Sequence, residues 1–534
     1  MFMQLIPKPQ KYSQTSSLCK ITSFSTYHID KELCACSDLI LSILQKGLKK
    51  ELKNKKGEID ILFDKFIKKE GYMLSAKENN ITITASDFVG VLYAVESLRI
   101  LAEFDVELKD FPCCEIDDYP KFEWRGLIID ESRHFFGKEF IKNLLDVMAL
   151  HKLNVMHWHL TDDVGWRIEI KKYPKLVEVG SKREQSQING WKSGMGDGIP
   201  YEGSYTQEEI KEIINYASSR GIMIVPEIDM PGHFLAAIAA YPELACRNLD
   251  RPVPWFLGDK YPSTHGMPDW NRPLCVSNEN TMNVVHDILD EVFALFPAPY
   301  FHIGGDEVDM REWKTCPKCQ ARMQEKGYKD VKQLQCEFIN GIQKYAKERG
   351  KRLVGWNECL KGDALDSSVL VQYWTPQTDN KVNEHIIKGG EVIISKHQFF
   401  YFNMTYAQYP LKNTYDFSLV KCNIPRGLED NVKGVEGALW AEWIPNKEKF
   451  ELQAFPRIEA LSEVSWNQSE KNYEEFLGRL DSFNKILKAL NINYAESAIH
   501  SPKRLFKKLY IMKKWFKGNT DLELNENKEL KNNE

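Results

Sequence analysis

The sequence predicts an α/β fold, a (β/α)8 TIM barrel preceded by a small α+β N-terminal domain, and three observations carry that reading. Between about residues 120 and 485, short apolar runs alternate with helical segments, the pattern of βα units and a parallel sheet. Eight such runs can be counted, as a closed barrel needs. Polar and aromatic residues recur at the ends of the runs, where packing alone would place more Val, Ile and Leu.

The first 118 residues precede the barrel pattern. ILFDKF, YMLSA and ITITAS alternate like strands, ENN supplies a turn between the last two, and Ser86 is placed to cap the next helix. In that helix Val91, Leu92, Val95, Leu98 and Leu101 form one apolar face. CCEIDDYPKF reads as the junction, which puts the domain boundaries at 1–118, 119–485 and 486–534.

The eight runs are LIID (127–130), NVMHWHL (154–160), IMIVPEID (222–229), YFHIGG (300–305), RLVGWNE (352–358), VLVQYW (369–374), EVIIS (391–395) and VEGALW (435–440). Active sites of this fold lie at the C-terminal ends of the strands. Those ends supply Asp130 and Arg133, Asp162 and Asp163, Asp229 and His233, Asp306 and Glu307, Trp356 and Glu358, Trp374, Tyr401, and Trp440 with Glu442. The expected site is a carboxylate-rich pocket with aromatic walls.

Beyond the barrel, KRLFKKLYIMKKWFK (503–517) carries seven Lys/Arg and no acid, with Leu505, Leu509, Met512 and Phe516 at helical spacing. It reads as a surface helix packed on the barrel, with contact to a membrane surface or a partner as the alternative. The tail after Gly518 is expected to be disordered. The long, glycine-containing loop around 184–204 is a candidate to shape the aglycone side, but the sequence does not place it.

Composition narrows the function. A formal net charge of −5 with 28% charged residues gives no basic field for nucleic acid, so no nucleic-acid partner is expected. Thirteen Trp and 22 Tyr suit a partner with flat C–H faces, such as a sugar. The N-terminal residues hold no apolar stretch of signal length, and the expected location is cytoplasmic. Twelve scattered cysteines fit a reducing compartment. Cys316 and Cys319 form a CxxC with no second pair at zinc-like spacing, and are read as structural. The sequons at Asn80, Asn403 and Asn467 would matter only in a secretory pathway.

HIGGDEVD (302–309) is the sharpest motif. Neighbouring strand residues point to opposite faces, so Asp306 and Glu307 can address one substrate only where the strand has ended and Gly304 and Gly305 let the chain bend. A two-carboxylate retaining glycosidase needs its carboxylates about 5 Å apart on opposite sides of the anomeric carbon, and adjacent residues are poorly placed for that. An adjacent pair suits substrate-assisted hydrolysis. There the 2-acetamido oxygen attacks, one carboxylate protonates the leaving oxygen, and the other stabilises the oxazolinium intermediate.

HIGGDEVD, WRGLIIDESRHFF (124–136), NVMHWHLTDDVGWRIEI (154–170) and VPEIDMPGH (225–233) together resemble the family 20 β-N-acetylhexosaminidases. The resemblance runs from about residue 3 to 470, with FPRIEALSEVSW (455–466) similar to the closing barrel helix. It implies a retaining exo-glycosidase that removes terminal N-acetylhexosamine, GlcNAc or GalNAc, from glycans, with no cofactor and no metal. By motif position, Glu307 would be the general acid/base and Asp306 the acetamido-orienting carboxylate. Tyr401 would bond the acetamido oxygen, and His233 and Asp162 would tune Glu307. Trp356, Trp374 and Trp440 would wall the pocket, while Arg133 and Glu442 would hold ring hydroxyls. Asn403 departs from the pattern, since an Asp is usual two residues after the tyrosine. A neutral amide that both donates and accepts replaces an anion there, which leaves the 4-OH and 6-OH preferences open.

Two rival readings follow from the same residues. The HxH pair His157 and His159 could ligate a metal, as in amidohydrolases, but later strand ends offer Trp356, Trp374 and Trp440 instead of further ligands. A catalytically inactive carbohydrate-binding barrel would typically have lost one of the two carboxylates, and both are present.

Overall fold

A computed structural model describes residues 4–190, 193–248, 251–257 and 272–532. The loop around 184–204 therefore falls partly outside the described residues, at Trp191 and Lys192.

The N-terminal region forms one mixed sheet of seven strands in the spatial order Lys11–Cys19, Phe111–Asp118, Tyr72–Lys77, Asn80–Ala85, Ile59–Phe63, Thr26–Ile29 and Lys53–Asn54. Tyr72–Lys77 and Asn80–Ala85 form the expected hairpin, with Lys77 opposite Asn80. Helix Phe88–Leu101 follows, and its N-cap is Asp87, not Ser86: the Asp87 carboxylate accepts the Gly90 N–H at 2.9 Å. The carboxylate spans the distance to that amide, whereas the Ser86 hydroxyl turns to the Lys68 carbonyl. Nearly the whole circumference of this helix is buried, because one side covers the sheet and the other meets the barrel helix Lys138–Leu150.

The barrel is closed by eight parallel strands: β1 (Trp124–Asp130), β2 (Val155–His159), β3 (Met223–Glu227), β4 (Tyr300–His302), β5 (Arg352–Trp356), β6 (Leu370–Tyr373), β7 (Val392–Ile394) and β8 (Val432–Leu439). Every apolar run of the sequence supplies one strand. Register then decides which polar side chains meet inside. Asp130 pairs with His159, His159 with Glu227, and Glu227 with His302, so four adjacent strands deliver one titratable layer near their C-terminal ends. Paired residues of parallel strands face the same side of a sheet.

The two regions meet through buried polar contacts. Asp118 accepts from the Tyr72 hydroxyl (2.8 Å), the Lys152 ammonium (2.9 Å) and the Trp466 indole (2.8 Å), which ties the N-terminal sheet to both ends of the barrel domain. Arg125, at the start of β1, pairs with Glu70 at 2.6 Å and donates to the Tyr93 hydroxyl. Such groups are tolerated inside only because each is matched.

The C-terminal segment differs from expectation in two respects. Helix Leu505–Trp515 forms, but it buries Ile511 and Trp515, while Leu505, Leu509 and Phe516 are 67%, 52% and 48% exposed. Trp515 sets this phase by packing with Val164, Leu257 and Trp443. The tail is a helix, Leu522–Asn532, and not disordered. Its buried Glu523 accepts the N–H groups of Tyr406 and Ala407 at 3.2 and 3.1 Å. A composition too polar to form a core is ordered here by docking polar groups onto an existing one.

Asp118→Ala should lower the free energy of unfolding by about 3–5 kcal/mol, because Lys152, 2% exposed, would keep an uncompensated buried charge. Urea titration checks it. A loss no larger than the ~1 kcal/mol of a surface ion pair would contradict the hub role.

Candidate active site

The site stands on Glu227, the last residue of β3, which is fully buried at the centre of the barrel. His157 Nε2 (3.1 Å), His159 Nδ1 (2.5 Å), His302 Nδ1 (2.9 Å) and Trp356 Nε1 (3.0 Å) surround it. Burial opposes the charge on each ionisable group; attraction wins at Glu227, His157 and His159, whereas burial wins at His302 and lowers its pKa. Glu227 is held well below the usual carboxylate range by His159, His302 and His157. His157 is raised to about 9 and His159 well above its ordinary value. His157 Nδ1 meets Glu436 at 2.8 Å, and Glu436 also accepts from Trp124 and Gln372. The HxH pair is thus engaged by carboxylates.

His159 carries the network upward. Its Nε2 lies 3.0 Å from Asp162, and Arg133 reaches the same oxygen at 2.8 Å. Despite burial, Arg133 and His233 hold Asp162 far below the carboxylate range. Arg133 is fixed from beneath by Asp130 and lies 5.4 Å from the Trp440 ring. His233 Nδ1 faces Asp162 at 3.5 Å and Asp163 at 3.2 Å, and those contacts raise its pKa well above 6.5 against burial. On the other ring edge, His233 Nε2 is 3.7 Å from Glu307 and 4.0 Å from Asp306. An imidazolium therefore addresses both motif carboxylates.

The chain bends where the glycines predict. Gly304 and Gly305 have φ of 71° and 86°, and a Cβ on Gly304 would lie 1.8 Å from Asp229 Oδ1. That same oxygen accepts the Gly305 N–H at 3.1 Å. Glu307 and His233 both adopt φ of 46°, in the left-handed region that costs non-glycine residues about 1–3 kcal/mol. The Glu307 N–H is held by Glu358 at 3.1 Å. The result separates the neighbours: the Asp306 side chain is 15% exposed and that of Glu307 34%. Burial pushes Asp306 up to about 7, with Glu358 and Glu307 adding to the effect and His233 opposing it.

The aromatic residues form their own cluster: Trp356 and Trp440 with Ile128 and Ala438, bordered by Trp374 and Tyr401. Trp374 and Tyr401 stack at 5.7 Å and 14°, and Trp440 lies 5.7 Å from Trp356 and 6.2 Å from Tyr401. Trp356 is only 1% exposed, so it is the floor behind Trp440. Burial, followed by the nearby Asp306, holds the Tyr401 phenol well above its ordinary pKa, which keeps it a hydrogen-bond donor. Glu442, beyond β8, is raised to about 7 by burial, with Arg133 opposing.

Asp306 Oδ1, Trp374 Nε1, Asn403 Oδ1 and Glu442 Oε2 are buried atoms with no hydrogen-bond partner among the described residues. Buried polar atoms are normally matched, so those of Asp306, Trp374 and Glu442 in this aromatic-walled site are donors and acceptors set out for a polar ligand.

Arg133, Asp162, Asp163, His233, Asp306, Glu307, Trp356, Trp374, Tyr401, Trp440 and Glu442 come together at this C-terminal face. Sequence reasoning missed Glu227, Glu436 and His302 below it, and assigned no role to Asp229 or Glu358. Their signal was a carboxylate or imidazole inside an apolar strand, which costs too much to bury without partners. Cys316 and Cys319 also have neighbours that the sequence did not show: Cys246 and Cys275 lie against them, brought by segments 41 and more residues away in the chain, so no fixed spacing reveals the group.

A parallel barrel with a carboxylate pair and an aromatic box at its C-terminal face is the architecture of a sugar-cleaving hydrolase, and the comparisons agree. Residues 122–469 match the model described as "Glycosyl hydrolase family 20, catalytic domain", and residues 3–119 match "Glycosyl hydrolase family 20, domain 2". The chain belongs to glycosyl hydrolase family 20. A beta-hexosaminidase of Porphyromonas gingivalis is 37% identical over 80% of this chain and 55% of its own length. A beta-hexosaminidase of Vibrio furnissii is 32% identical over 86% and 76%. The chain thus spans little more than half of the Porphyromonas relative. The crystal structure of an exo beta-N-acetylglucosaminidase from Vibrio harveyi in complex with N-acetylglucosamine superposes with a TM-score of 0.81 at 29% identity, covering 92% of this chain and 78% of that one.

The Asp306 environment sets a pH dependence. Its carboxyl is pushed up to about 7; if the reaction needs Asp306 ionised, kcat/KM should fall as pH drops through about 7. In kcat the limb should move to lower pH, because a bound N–H donor favours the anion. A limb that survives in Asp306→Asn and disappears in Glu442→Gln would assign it to Glu442.

Proposed function

We propose that this chain is a retaining exo-β-N-acetylhexosaminidase that removes terminal GlcNAc or GalNAc from a glycan or glycoconjugate by substrate-assisted catalysis. The observation that carries the reading is the division between two adjacent carboxylates, with Asp306 turned into the aromatic box and Glu307 toward the more open rim. Two groups that follow one another in the chain and both face His233 are poorly placed to act from opposite sides of an anomeric carbon. The nucleophile is then best supplied by the substrate.

In this mechanism the acetamido group lies among Trp374, Tyr401 and Trp440. The Tyr401 hydroxyl donates to its carbonyl oxygen, and Asp306 Oδ1 accepts its N–H. The carbonyl oxygen attacks the anomeric carbon from below the ring while Glu307 gives its proton to the glycosidic oxygen, and the aglycone leaves. The resulting oxazolinium carries positive charge beside Asp306, where burial strengthens the attraction. Glu307, now a carboxylate, removes a proton from water as it attacks the anomeric carbon, and two inversions give net retention. His233, charged by Asp162, aligns Glu307. Arg133 and Glu442 meet ring hydroxyls.

Asn403 meets the distal hydroxyls with an amide that accepts through its unmatched Oδ1 and donates through its nitrogen. A non-catalytic sugar-binding barrel is the weaker reading, because acid, orienting carboxylate and supporting imidazolium are all in place.

The test is the acetamido group itself. Replacing it by hydroxyl in matched aryl β-glycosides should reduce kcat/KM by about 10⁵-fold or more, since a well-oriented intramolecular nucleophile is worth effective molarities of about 10⁵–10⁸ M. Comparable rates on the plain glucoside would overturn the mechanism.

A further inference from the structure

Outside the active site, Cys246, Cys275, Cys316 and Cys319 place their four Sγ atoms within 4.8 Å of one another. The separations are 3.9 Å for Cys246–Cys319, 3.9 Å for Cys275–Cys316 and 4.0 Å for Cys275–Cys319. A tetrahedral zinc tetrathiolate with Zn–S bonds of about 2.3 Å has S–S edges of about 3.8 Å. Disulfides require about 2.05 Å, and a pairing would leave the remaining contacts unexplained. We propose that these four cysteines form a closed, structural zinc site.

The surroundings suit thiolate ligands. Cys316 is the N-cap of helix Pro317–Lys326 and Cys319 lies in its first turn, so two sulfurs sit where unpaired N–H groups and the helix dipole favour negative charge. Trp313, Val331 and Leu334 enclose the group, with Val276, Val308 and Met310 packed against it, which limits access of water and competing ligands. An all-sulfur tetrahedral set selects zinc over magnesium, calcium or manganese, and four protein ligands leave no open position for catalysis.

The site would clamp the catalytic loops. Val308, packed on the cluster, directly follows Glu307, and Trp313 donates its indole N–H to the Leu274 carbonyl at 2.9 Å, beside Cys275. Leu274 in turn donates its N–H to the Pro231 carbonyl at 2.8 Å, two residues before His233. A Cβ on Gly232 would lie 3.1 Å from the Asp306 carbonyl, so the loops after β3 and β4 press together. Zinc would hold Glu307 and His233 in their left-handed conformations without touching substrate.

Elemental analysis of the purified full chain should find one zinc per chain, released by a mercurial thiol reagent as four thiols become reactive. Cobalt substitution should give the intense visible bands of a tetrahedral tetrathiolate with a thiolate-to-cobalt charge-transfer band in the near ultraviolet. Cys319→Ser should lose the zinc, or shift those bands if it retains metal, and should lower the melting temperature. The wild-type measurement decides the matter even if that variant does not fold. Reduced protein that takes up no zinc, iron in its place, or disulfides linking these cysteines in the isolated chain would overturn the proposal.

Discussion

A carboxylate buried at the centre of a barrel must be neutralised where it stands, and the way Glu227 is neutralised determines the charges above it. An uncompensated buried charge costs about 3–5 kcal/mol, so its partners are fixed as firmly as apolar packing would fix them. His157 and His159 take up protons to meet Glu227. A charged His159 then requires Asp162, and Asp162 gathers Arg133 and His233. His233 emerges as an imidazolium below Asp306 and Glu307. The charge states of the site are therefore set layer by layer from β3 upward, before any sugar binds.

Geometry is set by a second constraint, the reversal after β4. Two glycines with positive φ bring backbone against Asp229, and the chain then places Asp306 inward and Glu307 outward. The strained φ of Glu307 is offset by the bond from its N–H to Glu358, and that of His233 by its carboxylate contacts. Adjacent residues thereby acquire different environments: one beside aromatic rings, the other beside solvent. That contrast lets one motif supply both an electrostatic partner and a proton donor.

Much of this was legible in the sequence. The eight apolar runs mark the eight strands because parallel strands are buried on both faces, and HIGGDEVD marks the reversal because only glycine tolerates the approach to Asp229. The site residues at the strand ends were visible for the same reason. The layer beneath them was not: Glu227 reads as one acid in an apolar run, and its partners come from strands 68 or more residues distant. The group around Cys319 was hidden likewise by the separations of Cys246 and Cys275. At the C-terminus, helical spacing indicated a helix but not its phase, which the docking of Trp515 decides. Composition also misread Leu522–Asn532, where buried Glu523 and Asn527 order a polar tail through backbone partners.

The central claim is that Asp306 orients the substrate's own nucleophile and balances the charge that develops on it. A thiazoline carries the fused ring of that intermediate, so its affinity reports the interaction directly. Calorimetric titration of wild type and Asp306→Asn with an N-acetylglucosamine-derived thiazoline is the most direct measurement. Wild type should bind it far more tightly than the product sugar, and Asp306→Asn should lose about 10²–10³-fold, the 2.7–4 kcal/mol typical of removing one preorganised electrostatic partner. Equal affinity in the two proteins, with retained turnover in the variant, would contradict the account.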